Sequence, residues 1–104
     1  MNSRNLRTLR QIAHHLDPVV TVGNTGVSDA VTAELDRALA DHELIKVRIN
    51  QIDRELRQQL ITSLVTASNG ELVQTIGRIV VLYRGNPDAK PELSNIARSG
   101  QRLS

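Results

Sequence analysis

Apolar residues recur along this chain with two different periods, and the changes of period mark out its elements. Leu6, Leu9, Ile12, Ala13 and Leu16 fall at helical spacing. Asp17-Pro18 ends that helix, because the residue before a proline is pushed out of the α region. The β-branched run Val19 to Val22, bounded by breakers, reads as a buried strand. Helical spacing returns at Val27, Val31, Leu35, Ala38 and Leu39, with Ser28 placed to cap and Asp29 suited to the positive end of the dipole. Ile45, Val47 and Ile49 then alternate with Lys46 and Arg48, the pattern of a strand with one apolar face. Asp53 can cap a third helix with Leu56, Leu60, Ile61, Leu64 and Val65 on its core stripe. Gly70 is expected in the left-handed position after that helix ends. Two last apolar runs flank Gly77-Arg78, the signal of a hairpin whose type II′ turn takes glycine first. Ile79 to Leu82 is apolar on both faces, which predicts an inner strand covered above and below.

The order α-β-α-β-α-β-β predicts an α/β (α+β) domain in which a mixed four-stranded sheet carries packed helices. Its strand–helix–strand units pair in parallel with right-handed crossovers, and its final hairpin is antiparallel. A chain of 104 residues is most simply one domain, here expected to occupy residues 1–84. Residues 85–104, "GNPDAKPELSNIARSGQRLS", mix Pro, Gly, Ser and charge without period and read as a flexible C-terminal tail.

Composition removes several classes of function. With no cysteine, disulfides, thiolate metal sites and cysteine nucleophiles are excluded. No apolar run approaches the ~20 residues of a membrane span, and the polar start "MNSRNLRTLRQ" has no signal-peptide core. A cytoplasmic protein with no membrane partner is the expectation. The net charge of +2 hides an uneven distribution. Residues 1–16 hold three arginines and no acid, residues 17–43 hold six acids against Arg37, and residues 44–84 hold six bases against three acids. A local basic surface follows without an extreme total.

Catalytic patterns do not emerge, and no enzyme is expected. His14 and His15 are adjacent, so on a helix they point about 100° apart and cannot chelate as an i, i+4 pair does. His42 sits at a helix C-terminus, where an imidazole offsets the dipole. For all three a structural role is the favoured reading. No nucleophile elbow, P-loop or dinucleotide fingerprint is present, the carboxylates fall on solvent faces of helices, and neither a metal nor a cofactor is implied.

The stretch Gly23-Asn24-Thr25-Gly26 has better physics. It joins a strand to a helix N-terminus, where the first N–H groups lack intrahelical partners and the dipole end is positive. Glycine there lets a phosphate approach the backbone with no Cβ in the way. A plain strand-to-helix turn would use glycine too. A G-x-x-G loop that grips backbone nucleotides is, however, the device of KH-type RNA binders. Arg4, Arg7 and Arg10 on the first helix, Lys46 and Arg48 on one strand face, and Arg84 after the last strand could supply the cations. Tyr83 is the only aromatic residue among Phe, Trp and Tyr, so base stacking of the RRM or OB kind is nearly excluded. Binding would rest on phosphates, 2′-hydroxyls and shape. Two other classes share the same features: a module for a nucleotide or another phosphate ligand, and a protein-interaction module using a free sheet edge.

Taken together, "LDPVVTVGNTGVSDAVTAELDRALADHELIKVRI", "DRE" at 53–55 and "GRIVVLYR" at 77–84 resemble the CRM domain, named for chloroplast RNA splicing and ribosome maturation, in its free-standing bacterial YhbY form. The similarity runs from about Leu6 to Arg84. It implies a two-layer fold like the C-terminal domain of bacterial translation initiation factor three, with strand order 1-2-4-3. It also implies a function: bacterial members associate with precursors of the large ribosomal subunit, and plant relatives assist group II intron splicing. Carried over by position, Gly23, Asn24, Thr25 and Gly26 become the RNA-facing loop, and Lys46 and Arg84 match family basic positions. The family's first helix is basic in general rather than at fixed sites, so Arg4, Arg7 and Arg10 transfer more loosely. The expectation is therefore a monomeric RNA-binding protein, not a DNA-binding one, whose RNA is rRNA of the large-subunit precursor.

Overall fold

The computed structural model describes residues 1–104. Its elements are α1 (Ser3–Ala13), β1 (Pro18–Val22), α2 (Asp29–His42), β2 (Leu44–Ile49), α3 (Arg54–Ser68), β3 (Glu71–Ile76), β4 (Ile79–Tyr83) and α4 (Asn95–Ser99). The strands form one sheet in the order β1-β2-β4-β3, the order that the family resemblance implies. β1 and β2 are parallel, with Thr21 beside Arg48 and Val22 beside Ile49. β4 runs antiparallel to both β2 and β3.

Side chains on the two faces of the sheet bury against different helices. On one face Val20, Val22, Ile45, Val47, Ile49, Val80 and Leu82 pack against Leu35 and Leu39 of α2 and Ile61 and Leu64 of α3. On the other, Leu44, Val73 and Val81 pack against Leu9, Ile12 and Ala13 of α1. The doubly apolar β4 is the inner strand that its sequence predicts, since Val80 and Leu82 serve one cluster and Val81 the other. Helices therefore lie on both faces, and α1 with α4 adds a partial third layer to the two-layer expectation.

Caps account for the helix starts. The Ser28 hydroxyl accepts from the Val31 N–H at 3.2 Å and the Asp53 carboxylate from the Leu56 N–H at 2.9 Å, each meeting a donor that the helix leaves unpaired. At the end of α3 the left-handed residue is Asn69 (φ +53°), not Gly70 as expected. Gly70 is needed for space instead, because a Cβ there would lie 2.8 Å from the Tyr83 carbonyl oxygen. Gly77 has φ +57° while Arg78 does not share the positive φ, as a type II′ turn requires.

Residues 85–104 differ from the tail expected of them: the structure folds them back onto the domain. Ile96 and Leu103 pack against the α1 cluster, and α4 opens on Ser94 as cap and closes on Gly100 at φ +75°. Glu43 anchors this return. Its Oε2 accepts from the Asn86 N–H at 2.8 Å, and its Oε1 accepts from the buried Ser94 hydroxyl at 2.7 Å. Asn95 Nδ2 donates to the Leu44 carbonyl at 2.7 Å, and His42 Nδ1 lies 2.8 Å from the Leu93 carbonyl oxygen. Glu43 holds φ +61°, a conformation that costs a non-glycine residue about 1–3 kcal/mol, and these partners keep it there. The segment lacks helical period because a few polar anchors and two apolar side chains hold it, rather than an amphipathic stripe.

Candidate nucleic-acid interface

Parallel pairing decides which loops meet. Because β1 and β2 run the same way, the loop after each emerges at the same end of the sheet. Asn50, just past β2, donates its N–H to the Val22 carbonyl at 2.8 Å, which sets it beside Gly23. The β3–β4 turn reaches that end too, since the Ile49 N–H donates to the Arg78 carbonyl at 2.7 Å. One end of the sheet thus gathers the turn Gly23-Asn24-Thr25-Gly26, the segment Asn50 to Asp53, and Arg78.

The turn is closed by a 3.0 Å bond from the Gly26 N–H to the Gly23 carbonyl, and Gly26 takes φ +73°. Within this bend the N–H groups of Asn24, Thr25 and Val27 find no acceptor in the protein. Asn24 and Thr25 are exposed at its tip. No atom lies within 4 Å of where a Cβ on Gly23 would sit, so the fold does not itself demand glycine there. Gly26 is the constrained position, through its φ and through Leu60 of α3, whose Cδ2 lies 3.4 Å from the site of an added Cβ. Helix α2 contributes less than its position suggests. Its Asp29 carboxylate occupies the first turn and repels any anion near that helix end.

The expected cations divide into three groups. Arg48 is exposed, lies beside Thr21 and stands on the α1 side of the sheet near the turn. Lys46, half-buried on the same side, pairs with Val81 one step toward the middle of the sheet. Arg4, Arg7 and Arg10 are exposed on α1, on that same side, and Arg10 Nε donates to the Val73 carbonyl at 3.4 Å. Arg84 does not join them. It follows Tyr83 at the opposite end of the sheet, where Nη1 donates to Asp36 Oδ1 at 2.6 Å and to the Ser68 carbonyl at 2.9 Å. Its Nη2 donates to the Asp36 carbonyl at 3.0 Å, so this guanidinium ties α2 to the end of α3.

Sequence reasoning missed Arg78, whose place beside Ile49 depends on strand order, and Ile52, which is 84% exposed in the segment that follows Asn50. An isolated apolar residue between a strand end and a helix cap was the available signal for Ile52. Arg57 is also engaged here, its Nη1 donating to the carbonyls of Gln51 and Ile52 at 3.1 Å and bracing the loop. Far from this end, burial raises the Tyr83 hydroxyl above its ordinary pKa, aided by the negative charges of Glu43 and Glu71.

Comparison with known proteins identifies relatives of the whole domain. The family model described as the CRS1 / YhbY (CRM) domain matches residues 1–84. "Probable RNA-binding protein PA4753" of Pseudomonas aeruginosa is 45% identical over 92 residues, which cover 88% of each chain. An "RNA-binding protein" of Haemophilus influenzae is 43% identical over 93 residues, covering 89% of this chain and 94% of the relative. Among solved structures, SAV1595 from Staphylococcus aureus, a candidate RNA-binding protein, superposes with a TM-score of 0.74 at 33% identity, covering 86% of this chain and 94% of its own.

Proposed function

The chain belongs to the CRS1/YhbY (CRM) domain family, and from that premise we propose that it is a non-enzymatic RNA-binding protein of large-subunit ribosome assembly, working as a cytoplasmic monomer on precursor rRNA. One observation carries the reading: three unpaired N–H donors, of Asn24, Thr25 and Val27, project from an exposed turn with the free cations Arg48 and Arg78 at the same end of the sheet. RNA phosphates accept from those N–H groups, and the arginines neutralise neighbouring phosphates. Lys46 extends the positive surface on the α1 side; Arg4, Arg7 and Arg10 lie on that side too, on a helix whose N-terminal end approaches Glu71 at the opposite end of the sheet. Relatives named as RNA-binding support the choice of partner.

Salt dependence tests the mechanism. Neutralising ~4 to 6 phosphates gives log affinity against log salt a slope of about −3 to −5, at ~0.7 to 0.9 per contact. An affinity for rRNA fragments that does not change with salt removes the electrostatic account.

A further inference from the structure

A row of apolar side chains leads out of the core to the end of the sheet that bears the turn. Leu60 and Leu56 stand one turn apart on α3, about 5–6 Å from each other on the helical surface, and Ile52 lies just before the Asp53 cap. Leu60 is partly buried and touches the space over Gly26, Leu56 is 49% exposed, and Ile52 is 84% exposed. Exposure therefore increases stepwise from the core, through the first turns of α3, to the segment before its cap, which meets the turn at Asn50.

Helix capping does not explain Ile52. An apolar residue just before an N-cap ordinarily packs on the fourth helical residue as a hydrophobic staple. Here that fourth residue is Arg57, whose guanidinium instead holds the carbonyls of Gln51 and Ile52. Ile52 is left as the most exposed of the large apolar side chains. Two residues before it, Asn50 bonds the Val22 carbonyl at the start of the turn, whose unpaired N–H groups of Asn24, Thr25 and Val27 suit an anionic, hydrogen-bonding backbone.

Single-stranded RNA has both properties side by side, a phosphate backbone and flat bases with little need of water. We propose that Ile52, Leu56 and Leu60 form a shelf for unpaired nucleobases of the strand whose phosphates sit on the turn. Duplex RNA keeps its bases stacked inside and cannot use the shelf. The chain is thereby a reader of single-stranded segments, with the aliphatic shelf doing what aromatic platforms do elsewhere. This inference rests on the RNA-binding reading above and adds to it the strandedness of the ligand.

Fluorescence anisotropy separates the two. The probes are a short unstructured oligoribonucleotide, the same strand in a blunt duplex, and an abasic strand of equal length. The double variant Ile52→Ser, Leu56→Gln changes only exposed positions. It should bind the single strand about ten- to thirtyfold more weakly, the effect expected from losing contact with roughly 50–80 Å² of apolar surface. Its salt slope should match that of the unaltered protein, since no phosphate contact is lost. The unaltered and variant proteins should bind the abasic strand alike. Equal single-strand affinity for both proteins overturns the shelf while leaving RNA binding intact. So does equal affinity of the unaltered protein for strand and duplex, or a dimer that dissociates in the variant without change in RNA affinity. Failure of the unaltered protein to bind any RNA overturns the functional reading itself.

Discussion

The two ends of the sheet are built from similar residues and treat them in opposite ways. At the end where β2 begins, every charged anchor is engaged: Glu43 holds Asn86 and Ser94, and Arg84 holds Asp36 and Ser68. At the end where β2 finishes, N–H donors of the turn are unpaired, Arg48 and Arg78 have no partner, and Ile52 is uncovered. A buried polar group must be satisfied by the protein, whereas an exposed one can wait for a ligand. The difference separates residues that share a chemical type, and it assigns Arg84 to stability although the family resemblance implies an RNA-facing role for it.

That contrast can be broken most forcefully at Glu43. Glu43→Ala removes two acceptors from the Asn86 N–H and the buried Ser94 hydroxyl, and should cost about 2–4 kcal/mol in urea unfolding. Amide exchange should accelerate first in residues 86–103, with RNA affinity changed less than about threefold. The opposite profile is expected at the turn. Asn24→Asp with Thr25→Asp places two negative charges where phosphate is proposed to sit. RNA affinity should fall about a hundredfold, equivalent to about 2.7 kcal/mol, while stability moves by no more than about 0.5 kcal/mol. If binding survives, the loop is only a turn.

Arg84→Ala sharpens the comparison, because resemblance and geometry disagree about it. Geometry expects a loss of about 1–2 kcal/mol in stability, from three hydrogen bonds of one partly buried guanidinium, with RNA affinity within about twofold of the unaltered protein. A large loss of binding at unchanged stability would return Arg84 to the interface. The smallest effect is expected of Arg48→Ala, a few-fold loss of affinity and a salt slope shallower by ~0.7 to 0.9, with no change in stability.

Much of this was legible in the sequence because local patterns decided it. Alternation at Ile45, Val47 and Ile49, the caps Ser28 and Asp53, and the doubly apolar β4 each have one inexpensive structural solution. The docked segment 85–104 was not legible, since its principal acceptor, Glu43, lies 43 and 51 residues from the Asn86 and Ser94 it holds and looks in sequence like any helix-end carboxylate. Ser94 and Gly100 did bracket α4 as cap and stop, a signal too short to outweigh the surrounding prolines. At the turn, Gly23 to Gly26 could be identified from the chain, but the company it keeps could not. Arg78 and Ile52 reach it through strand order, and Arg84 leaves it for the same reason.

The parallel pairing of β1 with β2 also fixes when the proposed binding end can exist. Hairpins close early because their strands are neighbours in sequence, whereas β1 meets β2 only after the intervening helix has formed and packed. The turn and the Asn50 to Asp53 loop come together only through that late crossover. A nascent or partly refolded chain should hold its β3–β4 hairpin yet remain unable to capture RNA. In stopped-flow refolding, competence for RNA should therefore appear with the slowest phase rather than with the first gain of secondary structure.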